Sequence, residues 1–321
     1  MSVDDRTAES VNLLARVLEG QASAAAPGGP GHMSELLGGR ARAARGGKHL
    51  RARLGHLAAG QVTGPAAEAA VVLGACVDLL HGAFLIHDDV IDRDDIRRGS
   101  PTIHADVRDR LALRGGDPAE AAHDGVSMAI IAGDLALVGV QQILLASDLT
   151  DHQVRRALGI LGNAATVTLG GELRDVINGA IPADADRIRE SSWMKTSVYT
   201  FGPPLRLGAM IAGRDEEPMV PVGRDLGRAY QAADDLAGAF GATADTGKTA
   251  GGDVKRGRST LVTMRDGAEA DVIAEVIAEG RGYLDGARAA IAAAKLPDDM
   301  AAALRGVADD IEGSLVRHEI R

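Results

Sequence analysis

The segment from Ala66 to Asp92 constrains this chain most. Its apolar residues recur at helical spacing, and the run then turns abruptly acidic and abruptly basic: HDDVIDRDD followed by IRRGSPT. On a helix Asp88 and Asp92 stand four residues apart and share a face, with Asp89 about 100° around it. Carboxylates crowded in this way repel one another and weaken a bare helix. They become reasonable around a hard divalent cation, because Mg²⁺ takes a few carboxylates plus water and phosphate oxygens. Arg97 and Arg98 follow at once, and arginine grips phosphate as a bidentate fork. Metal-binding acid beside phosphate-binding base is the chemistry of a diphosphate site. Taken alone, the run is equally readable as a solvated charged face.

A long apolar helix needs partners, and the rest of the chain supplies them. The 321 residues are 45% hydrophobic but only 2% aromatic, so alanine and the branched aliphatics must fill the core. Such segments favour helices packed closely on helices. Helical spacing also predicts elements over 5–19, 33–37, 50–59, 124–147, 151–178, 186–213, 220–239, 268–294 and 297–318. Pro203-Pro204 is expected to kink or break the helix that contains it. No strand alternation and no fixed-period repeat is visible, and no linker divides the chain. The expected architecture is one all-α domain spanning residues 1–321, with residues 1–45 its least regular part.

The net charge of -10 argues against general nucleic-acid binding, which needs a basic surface. The single cysteine, Cys76, rules out an intramolecular disulfide and sits in the apolar run VVLGACVDLL, where it reads as a buried structural thiol. No secretory leader opens the polar N-terminus, and no uninterrupted apolar stretch reaches the roughly 18 residues of a spanning helix. A cytoplasmic protein without an integral membrane segment is expected.

A second acidic pair, Asp234-Asp235, lies in the apolar stretch AYQAADDLAGAFG. Two such pairs on separate helices suggest acidic walls across a cavity, the way bundles build metal sites. Gly46-Gly47-Lys48-His49-Leu50-Arg51 places two cations beside a helix N-terminus, where backbone amides favour anions. Read singly, that motif, Arg97-Arg98-Gly99 and Thr246-Gly247-Lys248 are each equally ordinary solvated loops.

In combination these motifs resemble a known family. GGKxxR at 46–51, DDxxD at 88–92, RRGxPT at 97–102, GD at 133–134, KT at 195–196, QxxDD at 231–235 and TGK at 246–248 occur in this order. Together they look like the trans-isoprenyl diphosphate synthases, or polyprenyl synthetases, and KTSVYTFGPPLRLGAMIAG is similar to the actinobacterial branch. The resemblance implies Mg²⁺-dependent head-to-tail condensation of isopentenyl diphosphate with an allylic diphosphate, on an isoprenoid-synthase helical bundle. It implies that Asp88, Asp89 and Asp92 hold two metal ions, and that Asp234, with Asp235 beside it, holds a third. Arg97 matches the arginine that grips the allylic diphosphate. Lys48, Arg51, His81 and Arg98 match positions that bind isopentenyl diphosphate. Lys195, Thr196 and Gln231 match residues around the allylic group, and Lys248 matches a lysine that reaches its diphosphate. The resemblance also implies a homodimer, with helices near Ala75–Asp92 and Val126–Ala146 at the interface.

Three positions depart from the family pattern. Gly238 stands where many relatives carry the last Asp of the second motif, Glu172 replaces a frequent Gln, and Arg258 replaces a frequent Lys. His49 occupies a variable position and is assigned no role.

A growing lipid tail should run down the helix below the first Asp motif, about 5.4 Å per turn. Ala83 opens a position five residues before Asp88 that bulkier side chains close, whereas Phe84, four before it, restricts the shaft. A twenty-carbon geranylgeranyl product is therefore expected, with farnesyl or longer polyprenyl products as alternatives. Two other functions compete. A class I terpene cyclase should carry an NSE-type second motif and many cavity aromatics; neither is present. A non-catalytic partner subunit of a heteromeric synthase would be free to lose motif residues, yet Lys48, Arg51, Asp88, Asp89, Asp92, Arg97, Lys195 and Asp234 are all here.

Overall fold

The computed structural model describes residues 1–25, 47–181, 184–240 and 269–317. The expected helix at 33–37, the connection 241–260, Lys248 and Arg258 lie outside them. Described residues fall into two compact units, Met1–His56 with Thr63–Val154, and Leu57–Val62 with Arg155–Arg321.

The first unit is built on α3 (Pro65–Ile91), a 27-residue helix that opens on a proline at its first turn, where a missing N–H costs nothing. It packs on α1 (Val3–Ala25) and on α5 (Pro118–Leu145); α2 (Leu50–Ala59) precedes it in the chain. The loop Arg114–Asp117 leads into α5, whose N-terminus is capped by Asp117; its carboxylate accepts from the N–H groups of Ala119 and Glu120 at 2.9 and 3.1 Å. The helix thus starts at the Asp117-Pro118 pair, which the sequence alone leaves as either a loop or a helix start, six residues before the apolar periodicity sets in. Between α3 and α5 runs α4 (Ile103–Leu113). Ile86, Ile103, Ala129 and Ala132 form a small core there, with Val90, Val107 and Met128 around it.

One further expectation is corrected here. A short antiparallel pair, β1 (Ile96–Arg97) and β2 (Ser100–Pro101), follows α3 where no strand was expected. Its two-residue turn puts both Arg98 (φ 51°) and Gly99 (φ 74°) in the left-handed region that tight hairpins require. Two residues per strand are too few to leave an alternating pattern. Pro65–Ile91 and Pro118–Leu145 are long and apolar enough by length and composition to cross a bilayer, but 78% of the most apolar window of the first, and 44% of the second, is buried inside the fold, and a core helix has the same composition.

A polar knot ties α1 into this unit. Arg6 is 1% exposed and donates to the His56 carbonyl at 3.0 Å. Ser10 Oγ meets His56 Nε2 at 3.0 Å and donates to the Val71 carbonyl at 2.9 Å. Burial, followed by the nearby Arg6 charge, pushes the imidazole of His56 down to about 4 from 6.5. The unfolded chain therefore takes up a proton at His56 that the folded chain refuses, so stability falls as pH drops from about 6.5 towards 4. Between pH 7.5 and 5 this one group should cost about 2 kcal/mol. Urea titrations of wild type and His56→Gln at the two pH values check it: the wild type should lose that much more than the variant.

The second unit contains α6 from Arg155 onward (helix Asp151–Ala180), α7 (Ala185–Ser192), a π-helical turn (Trp193–Ser197), α8 (Val198–Ile211), α9 (Met219–Phe240), α10 (Glu269–Ala293) and α11 (Asp298–Val316). Amphipathic α9 is its centre and packs on α8, α10 and α11. Pro203-Pro204 does not break α8. Both prolines and the flanking Thr200, Phe201 and Leu205 are buried, so packing offsets the lost hydrogen bonds, and the irregular turn falls earlier, at Trp193–Ser197.

Candidate active site

The first unit assembles the basic half of the expected site. Gly47 has φ 113°, and the guanidinium of Arg98 lies close against the point where its Cβ would stand, with Arg98 Nη2 2.9 Å from it. The Gly-rich loop and the hairpin turn therefore touch. His81, about two turns below the acidic run, is held well below its ordinary pKa by burial and by the surrounding Arg51, Arg98, Arg97 and His49. It stays neutral while the arginines carry the charge. Lys48 is exposed at the rim. Four of the residues expected to bind one diphosphate are thus on adjoining elements of one unit.

His49, assigned no role from sequence, pins this loop. Its Nδ1 lies 2.7 Å from Asp78 Oδ2, and Asp78 Oδ1 accepts from the Ala52 N–H at 3.3 Å. Asp78 is 5% exposed, an acid in the middle of an otherwise apolar helix face. That placement is its sequence signal: a lone Asp in VVLGACVDLL needs a partner to be buried.

At the end of α3 the acidic run converges on one cation. Arg97 donates to Asp88 Oδ2 at 2.8 Å and to Asp89 Oδ1, and its Nη2 lies 4.0 Å from Asp94 Oδ2. Asp89 is buried, and desolvation outweighs Arg97 enough to raise its carboxyl to about 6, with Asp88 and Asp94 adding to the rise. Asp92 caps α3, its N–H donating to the Asp88 carbonyl. The hairpin that delivers Arg97 is itself anchored: Thr102 donates to the Asp95 carbonyl through both N–H and Oγ1, and His104 Nε2 lies 3.3 Å from Asp95 Oδ1. Asp94 was missed by helical spacing because α3 ends at Ile91 and the chain folds back after it. Among the described residues no three His, Cys, Asp or Glu side chains are already arranged to hold a metal. The donor set nonetheless suits one: hard oxygen ligands gathered around a positive charge.

The GD motif supports the same end of α3. A Cβ at Gly133 would stand 2.2 Å from His87 Nε2, so only glycine lets the imidazole cross α5 there. His87 Nε2 lies 3.3 Å from the Ile130 carbonyl and 3.5 Å from Asp134 Oδ1.

The second unit holds the remaining residues. Lys195, on the π-helical turn, donates to Glu172 Oε1 at 3.1 Å and Asp175 Oδ2 at 3.0 Å, both on α6. The departure at Glu172 therefore has a partner. Thr196 stands beside Lys195, and its carbonyl accepts from Thr200 Oγ1 at 2.6 Å. On α9 the acidic pair separates into two environments. Asp234 is exposed, whereas Asp235 is 5% exposed and accepts from Gln231 Nε2 at 2.8 Å. Ala83 and Phe84 are both buried in α3 of the first unit, at 0% and 8% exposure.

Comparisons with known proteins bear on this arrangement. The Polyprenyl synthetase family description matches residues 40–282. The chain is 32% identical over 227 residues to geranylfarnesyl diphosphate synthase of Aeropyrum pernix, covering 68% of this chain and 66% of that protein. It is 32% identical over 220 residues to a geranylgeranyl diphosphate synthase of Mycobacterium tuberculosis, covering 67% and 57%. The matched stretch is thus less than two thirds of either relative's length. Among solved structures, geranylgeranyl pyrophosphate synthase of Corynebacterium glutamicum, complexed with isoprenyl diphosphate and magnesium, is similar with a TM-score of 0.85 at 26% identity, over 98% of this chain and 100% of that one. Polyprenyl synthetase of Streptomyces coelicolor A3(2), at 23% identity and a TM-score of 0.75, shares the fold.

Proposed function

This chain belongs to the polyprenyl synthetase family, and from that premise we propose that it condenses isopentenyl diphosphate head-to-tail with an allylic diphosphate to give a linear all-trans prenyl diphosphate. The observation that carries the reading is the junction of α3 with the hairpin, where Asp88, Asp89 and Asp94 surround Arg97 while Arg51 and Arg98 gather around neutral His81, about two turns before Asp88. That is an acid-lined cation site beside a base-lined anion site.

Asp88, Asp89 and Asp92 on α3, and Asp234 with Asp235 on α9, would hold Mg²⁺, three ions in the full complement. When bound, the metal neutralises the diphosphate so that it can leave. The chain's own groups do the rest. Arg97 grips the allylic diphosphate at the edge where Asp88 and Asp89 now hold it. Lys48, Arg51 and Arg98 bind the diphosphate of isopentenyl diphosphate, and His81, kept neutral, adds a hydrogen bond without repelling them. Lys248 serves the allylic diphosphate from the segment after α9. Lys195 sits between Glu172 and Asp175, so this cluster carries a net negative charge, which favours a developing allylic cation near it. Thr196 and Gln231 position that allylic group. Apolar α3 below Asp88 excludes water from the cation.

A twenty-carbon product is the expected length, with Phe84 as the floor. Phe84→Ala should move the main product beyond twenty carbons, as read by sizing the dephosphorylated alcohols. The whole chain acts as one catalytic domain in this reading, and it forms a homodimer. Support for a self-association surface comes from large apolar side chains left exposed: Ile131, Val138 and Leu145 on α5 and, separately, Leu173, Val176 and Ile177 on α6, with Leu173 62% exposed. Leu173→Glu should shift sedimentation from dimer to monomer at micromolar concentration.

The deciding assay incubates the protein with Mg²⁺, labelled isopentenyl diphosphate and, separately, five-, ten- and fifteen-carbon allylic diphosphates. Discrete linear products are expected. No incorporation with any starter would overturn the catalytic reading in favour of a non-catalytic partner subunit.

A further inference from the structure

The second unit contains a cavity of about 370 Å³ that the proposed reaction does not use as a whole. Trp193 and Tyr283 supply its aromatic walls, and Arg228 lies over both rings, 5.4 Å from the first centroid and 5.5 Å from the second. Both distances are within the range of cation–π attraction, which fixes the guanidinium without neutralising it.

The pattern of ion pairs around the cavity singles out that arginine. Three carboxylates line it, and each is already bound. Asp186 meets Arg189 at 2.5 Å, and Glu279 accepts from Arg189 Nε and from the Tyr283 hydroxyl, both at 3.0 Å. Glu190 pairs with Arg174 at 2.6 Å. Arg228 has no carboxylate partner among the described residues. Also among the described residues, the buried Oε1 of Gln231, which is 8% exposed, and the buried Nε1 of Trp193 have no hydrogen-bond partner. The cavity is of small-molecule size, and the faces of Trp193 and Tyr283 are its apolar walls among otherwise charged and polar side chains.

We propose that this cavity is a binding site for a small monocarboxylate, its carboxylate on the Arg228 guanidinium and its apolar body between Trp193 and Tyr283. Arg228 is the one lining cation with no carboxylate within ion-pair distance among the described residues, and its guanidinium fork matches a carboxylate. A diphosphate does not suit it, because a multiply charged headgroup would stand beside three carboxylates with Arg228 alone to balance it.

Occupancy also reaches the reaction's own residues by short covalent routes. Trp193 is two residues before Lys195 on the π-helical turn, and Arg228 is one helical turn before Gln231 on α9. That coupling rests on the proposed function; the binding does not.

Trp193 is the chain's only tryptophan, so its fluorescence reports the cavity directly. The full-length protein would be titrated with hexanoate and with benzoate, and in parallel with inorganic diphosphate, following fluorescence and heat. Saturable binding of a carboxylate is expected, weakened at least tenfold in Arg228→Gln and to a lesser degree in Arg228→Lys, which keeps the charge and loses the fork. Circular dichroism would establish that both variants fold. Absence of both a fluorescence change and heat with either carboxylate would overturn the site, as would unchanged binding in folded Arg228→Gln. Diphosphate that competes at equal or lower concentration would also overturn it, by making the cavity part of the substrate site. Because the readout is binding without turnover, an inactive enzyme leaves the test intact.

Discussion

Replacing Asp88 with asparagine is expected to lower kcat for prenyl condensation by roughly 100- to 1,000-fold, the effect of losing one well-placed electrostatic group. The side chain is nearly isosteric, so volume and backbone are unchanged, while the charge is lost. That loss acts twice. A neutral amide is a weaker ligand for a hard cation than a carboxylate, and it no longer helps to hold Arg97, which now donates to Asp88 at 2.8 Å. Because the Asp88 side chain is only 20% exposed and Arg97 retains Asp89 and Asp94, the fold should survive. Steady-state kinetics over a Mg²⁺ series, beside a thermal melt, separate the two consequences. A variant with wild-type kcat at every Mg²⁺ concentration would remove Asp88 from the metal site. A variant that simply melts earlier would make it a structural residue.

Gly171→Ala should be nearly as damaging, for a geometric reason. A Cβ at Gly171 would stand 2.4 Å from the backbone nitrogen of Lys195 and 2.6 Å from Met194 Cβ. Neither atom can rotate away, so α6 and the π-helical turn must separate. Alanine's better helix propensity returns about 1 kcal/mol, against the roughly 1–3 kcal/mol typical of overpacking. With backbone on one side of the contact, overpacking wins. The turn carries Lys195, and a displacement of about 1 Å at such a group costs on the order of 100-fold in rate. Gly170→Ala is the control. Its Cβ would meet only the terminal methyl of Met194, at 3.5 Å, an ordinary contact. That variant should gain stability and keep its activity. Urea midpoints and kcat for the pair decide the matter: equal behaviour of the two alanines would refute the close-approach argument.

Much of the helical framework was readable because long amphipathic or Ala-rich runs carry a strong period. Leu50–Ala59 and the span from Pro65 to Ile91 coincide with the spacing to within a residue or two. What escaped were features whose signal is shorter than a period. The β1–β2 hairpin has two residues per strand, and the π-helical turn departs from an α-helix by one residue in register. The unbroken α8 escaped for the opposite reason. Its local signal, Pro203-Pro204, is strong, and burial of the flanking residues overrides it.

The sequence by itself determined the fold class and, through its ordered motifs, the family. Helical periodicity requires an almost wholly helical body, and no single charged motif but the ordered set of them carries the family resemblance. Only the tertiary structure decided the pairings. Asp94 joins Asp88 and Asp89 around Arg97 because the chain reverses after α3, a reversal that places six-residue neighbours side by side. Asp78 holds His49 across 29 residues, and Lys195 lies between Glu172 and Asp175, 23 and 20 residues away. Periodicity assigns a residue to a face of its own helix. Which groups meet across elements depends on how those helices pack, and packing is set by side-chain volumes summed over the whole unit.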